Sequence, residues 1–145
     1  GPRTRSAHLM RKETFVRAWV ESRGLVPESV SVAAYDPLLS AEVVHETLKD
    51  RDPTELPDII VCENDALALG AIDTIRHGLG LKVPDDIAVI GFDDVPQAAS
   101  PNYRLTTYRQ PIMEMANYLV DILEQADTSN LDRTFLGRLE VRESA

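Results

Sequence analysis

Apolar and polar positions follow two periods along this chain. Asp58-Ile59-Ile60-Val61-Cys62 and Ile87-Ala88-Val89-Ile90-Gly91-Phe92 are short apolar runs, rich in branched residues and bounded by polar turn residues. This is the pattern of strands buried on both faces. Between them, Asp65 to His77 places Ala68, Ala71, Ile72 and Ile75 at helical spacing, Gly78 closes the helix, and Val83-Pro84-Asp85-Asp86 reads as a turn. Strand, crossover helix and second apolar strand together predict parallel pairing with a right-handed connection. The fold class that follows is α/β.

The reading extends in both directions. Upstream, Ser6 to Arg23 predicts a helix that carries Phe15, Ala18 and Trp19 and is ended by Gly24. Val30 to Ala34 predicts a strand, and Ser40 to Leu48 a helix with Ala41, Val44 and Leu48 on one stripe. Downstream, Leu105 to Tyr108 is a strand candidate, and Pro111 suits the first turn of a helix running from Gln110 to Glu124. In that helix Ile112, Met115, Ala116, Leu119 and Ile122 form a single apolar stripe, for which the chain offers no evident partner. Asp127 to Asp132 predicts a polar connector, and Phe135 to Arg142 a last strand at a sheet edge. No segment repeats, and none is of low complexity.

Composition narrows the function classes. With 145 residues, 43% hydrophobic and 27% charged, the chain reads as soluble and globular, one domain or two small lobes. Its 24 acidic against 15 basic residues leave a net charge of −9, so it offers no basic face for a nucleic acid. The longest apolar stretches, such as Ala66 to Ile72, fall well short of the roughly 18 residues of a membrane span. A single cysteine cannot form an internal disulfide, and the first residues lack a secretory pattern. Both point to a reducing cytoplasm.

Candidate chemistry lies where the strands end. In open parallel sheets, ligands settle outside the carboxyl ends of the strands, where helix N-termini aim their amides into the crevice. Glu63-Asn64-Asp65 follows the first apolar strand and Asp93-Asp94 the second. An Asn offers a donor and an acceptor on one plane, and a carboxylate can accept from two neighbouring hydroxyls, a pairing suited to a sugar or polyol. The same residues also read as a helix cap and a turn. Adjacent carboxylates raise a third reading, general acid and base or Mg²⁺ chemistry at Asp93 and Asp94. No Gly-rich phosphate loop or nucleophile elbow accompanies them. His8, His45 and His77 match no metal-ligand spacing, Cys62 reads as a small buried hydrophobe, and Gly78 with Gly80 reads as helix termination. Arg11 alone reads as a solvated helix charge.

Three strings carry a resemblance: Glu63-Asn64-Asp65-Ala66-Leu67-Ala68-Leu69-Gly70; Val83-Pro84-Asp85-Asp86-Ile87-Ala88-Val89-Ile90-Gly91-Phe92-Asp93-Asp94; and Leu105-Thr106-Thr107-Tyr108-Arg109-Gln110-Pro111. In this order and spacing they resemble the effector-binding core of the LacI/GalR family of bacterial transcriptional regulators. Gly1-Pro2, Ser6, Arg11 and Phe15 are similar to the segment that opens that family's C-terminal lobe, and Leu139 to Ser144 to its usual ending. The resemblance implies a Rossmann-like three-layer lobe with a mainly parallel sheet, of the type I periplasmic-binding-protein kind. Residues 1–110 would form the C-terminal lobe, 111–127 a crossover helix belonging to an N-terminal lobe outside this chain, and 128–145 the connector and final strand.

For function, the resemblance implies a sensor that binds a small effector, a sugar or related polyol, in a cleft between lobes and performs no chemistry on it. Arg11, Asn64 and Asp93 would reach the effector, Tyr35 or its neighbour would stack on it, and Gln110 would face the cleft. Leu67, Leu69 and Ile72 would contribute to a homodimer interface, with ordinary burial on two sides as the alternative. DNA would be bound only through a headpiece outside the chain, and no cofactor, metal or membrane is implied. The chain departs from the family pattern at Thr14, where Gly is usual, in the longer loop Gly78-Leu79-Gly80-Leu81, and at Tyr108, where a small branched residue is usual. The competing readings are a transporter's solute-binding protein, which shares the two-lobe fold, and a small hydrolase using Asp93 and Asp94.

Overall fold

The best-buried helix starts where a polar side chain can cap it. In the computed structural model, which describes residues 11–125 and 132–145, Asn64 is extended and its Oδ1 accepts from the Leu67 amide at 3.0 Å. This satisfies one of the amides that a helix start leaves without a partner. Helix α3 (Asp65–Asp73) follows, and its last turn widens into a π turn over Thr74–Gly78. Leu67, Ala68, Ala71, Ile72 and Ile75 are all buried, because the helix lies between a second helix and the sheet. That second helix, α2 (Pro37–Leu48), is capped by Asp36, whose Oδ1 accepts from the Leu38 and Leu39 amides. The two helices approach so closely at Gly70 that any Cβ there would collide with the Pro37 carbonyl.

The sheet has the order β1 (Ile59–Val61), β2 (Ala88–Asp93), β3 (Thr106–Arg109), β4 (Arg138–Glu140). The first three strands are parallel and β4 runs antiparallel to β3. The α/β class, the parallel pairing across α3 and the final edge strand are as the pattern predicts. Val44, Leu48, Ile72, Ile75, Ile87, Val89, Ala98 and Leu105 make one core between α2, α3 and the sheet. At the start of β2 the ladder is completed from a distance. The Val89 amide donates to Ser144 O at 2.7 Å, the buried Ser144 hydroxyl donates to Val89 O, and it accepts from the Thr106 amide.

Three expectations need correction. Val30 to Ala34 forms no strand, and the backbone bends at Ala33 and Ala34. Among the described residues no strand pairs with it, and only Val32 turns inward, at 8% exposure. For the same reason β1 is not buried on both faces: it is an edge strand, and Val61 at its end is exposed. Pro111 stands just before its helix rather than inside it, its carbonyl accepting from Met115 as α4 (Ile112–Gln125) begins.

Helix α1 (Arg11–Arg23) ends at Gly24, which takes φ +70° and donates to Val20 O. Ser6 to Met10, Gly1-Pro2 and most of the connector Asp127 to Asp132 lie outside the described residues. Most of the α4 stripe remains uncovered: Ile112 and Leu119 are each 60% exposed, while Ile122 is half-buried. Tyr118 on α4 meets Phe135, with the Arg133 guanidinium over both rings. Among the described residues, no helix is long and apolar enough to cross a membrane.

Candidate functional site

The carboxyl ends of β1 and β2 lie side by side, so the residues just after them share one end of the sheet. At the end of β2 the backbone turns sharply. Asp93 has φ +119° and Asp94 φ +57°, a left-handed pair that side chains other than glycine seldom adopt. The turn directs the two carboxylates to different partners.

Asp94 points back into the protein, its side chain only 2% exposed. Its Oδ1 accepts from Arg142 Nη2 at 2.7 Å, and its Oδ2 is held by Arg109 through Nε and Nη2. Burial works against the charge on Asp94, but the hydrogen bonds from Arg142 and Arg109 outweigh it and hold the carboxyl below its ordinary range. Arg142 is itself fixed by donating to Leu105 O at 2.7 Å. With both oxygens taken, Asp94 is a structural clamp, and the acid–base pair with Asp93 that the hydrolase reading requires is not formed.

Asp93 faces the other way. Its Oδ1 accepts from Gln110 Nε2 at 2.7 Å. Burial raises its carboxyl above the ordinary value and the nearby Asp65 charge adds to the rise, while the Gln110 hydrogen bond and Arg11 oppose it. Arg11, at the start of α1, lies with its guanidinium 4.2 Å from the centre of the Phe92 ring. Phe92 stacks in turn on Tyr108 at 5.2 Å, and the Tyr108 hydroxyl accepts from the Gly137 amide at 2.8 Å. The departure from the family pattern at Tyr108 thus supports the ring beneath Arg11.

The Tyr35 hydroxyl donates to Glu63 Oε2 at 3.1 Å, joining the loop before α2 to the end of β1. Burial, the Glu63 hydrogen bond and charge, and the Asp93 charge all raise the Tyr35 hydroxyl, and Arg11 opposes them. The charges of Arg11, Glu63 and Asp93 thus all act on this hydroxyl. Arg11, Tyr35, Asp93 and Gln110, expected from the sequence, therefore come together. Asn64 adjoins them, but its Oδ1 serves the α3 cap, so its amide nitrogen is the donor left for a ligand. Glu63 and Phe92 belong to the same site. Glu63 stood in the polar string after β1, but nothing in its spacing marked Tyr35 as its partner; Phe92 read only as a strand residue.

Asp65 ties the site to the core. It is fully buried, its Oδ1 accepts from the Thr107 hydroxyl at 2.6 Å and its Oδ2 from the Val95 amide at 2.8 Å. The first bond reaches β3 and the second fixes the chain just beyond Asp93-Asp94. Cys62, one residue before Glu63, has its thiol pushed up to about 12, chiefly by burial and further by Asp65 and Glu63. It is a poor nucleophile at neutral pH.

The residues expected at a dimer interface are not equivalent. Leu67, at 3% exposure, and Ile72, at 0%, are enclosed by this chain's own core. Neither has surface left for a partner, and the two-sided burial that the sequence left open applies to both. Leu69 is only half-buried. A shallow groove of about 700 Å³ lies away from the strand ends, between α2 and the end of α3, and brings together His45, Asp73 and His77.

A family model described as a periplasmic binding protein-like domain matches residues 2–144. The chain is 40% identical over 108 residues to the arabinose metabolism transcriptional repressor of Geobacillus stearothermophilus, covering 71% of this chain and 29% of that protein. It is 38% identical over 128 residues to the HTH-type transcriptional regulator MalR of Streptomyces coelicolor, covering 85% of this chain and 36% of the relative. Among solved structures it resembles a LacI-family regulator from Lactobacillus casei with bound sucrose, with TM-score 0.74, 29% identity, and coverage of 93% of this chain and 50% of that one. It also resembles a LacI-family regulatory protein from Corynebacterium glutamicum, with TM-score 0.79, 27% identity, and coverage of 95% and 54%. The chain spans about a third of the length of these curated relatives.

Proposed function

The chain belongs to the LacI/GalR family of transcriptional regulators, within its periplasmic-binding-protein-like effector domain, and on that premise we propose that it is a ligand-sensing lobe for a sugar or related polyol. The observation that carries this reading is the convergence of Arg11, Tyr35, Asp93 and Gln110 at the ends of β1 and β2. Asp93 accepts from neighbouring hydroxyls, Arg11 donates a forked pair to ligand oxygens, and the Tyr35 ring covers an apolar sugar face. The Asn64 amide and Gln110 complete this wall. Related solved structures hold sucrose or lactose, which supports the ligand class.

In this reading, residues 1–110 and 128–145 form one lobe, and 111–127 is the crossover helix of a second lobe outside the chain. The exposed stripe on α4 supports that division. Closure around the effector shifts the relative orientation of the lobes, and with it the spacing of two DNA-binding headpieces in a cytoplasmic homodimer. The shift is a change of population driven by differential affinity. The lobe itself performs no catalysis.

The test is Asp93→Ala in the full-length regulator. Calorimetry should show effector affinity lost while the far-ultraviolet circular dichroism and melting cooperativity remain those of the parent. Unchanged affinity would remove Asp93 from the site.

A further inference from the structure

Resting on the sensor reading above, we propose that Tyr108 is a positioning residue for ligand binding, which acts through Phe92 to hold the Arg11 guanidinium at the ligand wall. Arg11 needs such a seat. It opens α1, a helix of which no described residue is buried, so its own element does not fix it in place. An arginine that still samples many rotamers gives up that freedom when it grips a ligand, and the loss weakens the complex.

The sheet supplies what α1 lacks. Phe92 on β2 and Tyr108 on β3 are register partners in the parallel ladder, and their rings stack at 5.2 Å with 18° between planes. The centre of the same Phe92 ring lies 4.2 Å from the Arg11 guanidinium. Tyr108 is in turn fixed at both ends, by its backbone in β3 and by its hydroxyl, which accepts from the Gly137 amide at 2.8 Å just before β4 begins. The space for the ring is specific. A Cβ at position 137 would come within 2.6 Å of the Tyr108 ring and would collide with the Arg109 carbonyl.

Gly137, Tyr108 and Phe92 thus form a bracket that starts at the sheet edge and ends at one cation. Arg109 and Arg142 are engaged by Asp94 on the inward side of the turn. Arg11 is the arginine whose charge reaches both Tyr35 and Asp93, so the bracket holds the cation that belongs to the ligand wall. Without the Tyr108 ring, Phe92 is free to tilt and Arg11 to wander.

The test is a double-mutant cycle on the full-length regulator, with sucrose, lactose, maltose and arabinose as probes and calorimetry as the readout. The sugar that the parent binds most tightly is carried through the cycle. Tyr108→Val removes the ring and keeps a side chain suited to a strand; it should weaken that sugar by about tenfold. Tyr108→Phe restores the ring, losing only the tie to Gly137, and should bind within about threefold of the parent. Arg11→Ala should weaken the sugar by about tenfold by itself. Tyr108→Val should then add almost nothing, because the cation it positions is gone. A ring with a merely structural role would give the same loss whether or not Arg11 is present. Phe92→Leu breaks the stack from its other member and takes the place of Tyr108→Val if the valine protein does not fold.

Losses that add in full, an unchanged affinity in Tyr108→Val, or a Tyr108→Phe protein as weak as Tyr108→Val would each overturn the inference and leave the sensor reading standing. An Arg11→Ala protein that binds like the parent removes Arg11 from the site and the inference with it. A parent that binds none of the four sugars overturns both the inference and the polyol reading.

Discussion

Asp65→Ala removes a fully buried carboxylate whose two oxygens accept from the Thr107 hydroxyl and the Val95 amide. A hydrogen bond to a charged group contributes about 1.5–3 kcal/mol, and the fully buried Thr107 hydroxyl would be left without its acceptor. Relief of the buried charge offsets part of the loss of the two bonds, so the expected destabilisation is about 4 kcal/mol. For a chain of this length that is a fall in melting temperature of roughly 12 °C. Asp65→Asn keeps the size and one acceptor and should cost about 2 kcal/mol. A second substitution makes the test specific. A Cβ on Gly91 would collide with Asp65 Oδ1, so Gly91→Ala should be damaging in the parent and much milder beside Asp65→Ala. Urea unfolding of the four proteins of this cycle, followed by circular dichroism, gives the coupling. A loss under about 1 kcal/mol for Asp65→Ala, or strict additivity with Gly91→Ala, would refute the reasoning.

Two further outcomes follow from close packing and from charge. Gly70→Ala should destabilise by about 3 kcal/mol, because its Cβ would strike the Pro37 carbonyl and α2 must move away from α3; thermal melting checks it, and a change under about 1 kcal/mol would mean the helices separate easily. Asp94 has its carboxyl lowered in the folded protein, so its stabilisation is complete above the unfolded value of about 3.9 and is lost as pH falls through the lower folded value. Melting curves should place Asp94→Asn well below the parent near neutrality, with the gap closing in acid below about pH 4; a gap that does not vary with pH would count against the clamp.

The parts of this molecule that were legible in the sequence are those whose cause is local. Asn64 caps α3 because an Asn before an apolar helical run can reach the third amide, and β2 shows as five successive apolar or small residues before Asp93. Asp93 was legible as a strand-end acid. What stayed hidden depends on partners far along the chain. Asp94 adjoins Asp93 in sequence, yet it is a clamp because Arg109 and Arg142 reach it from β3 and from beyond β4. Tyr35 and Glu63 meet only because the loop before α2 passes over the end of β1. Val30 to Ala34 shows the converse: its local pattern suits a strand, but a strand exists only with a neighbour to pair with. The resemblance implies an interface role for Leu67 and Ile72, while the packing of α2 over α3 encloses both within this chain.

The left-handed backbone at Asp93, with φ +119°, sets an opposition between durability and recognition at a single position. Glycine would sit there with less strain, a relief on the order of 1 kcal/mol, and a search for a sturdier protein by substitution at turns would select it. The same change would delete the carboxylate that holds Gln110 and faces the proposed ligand. Sequences drifting toward stability at this turn would therefore drift toward deafness, and engineering for heat tolerance should leave position 93 alone and strengthen the α2–α3 packing instead.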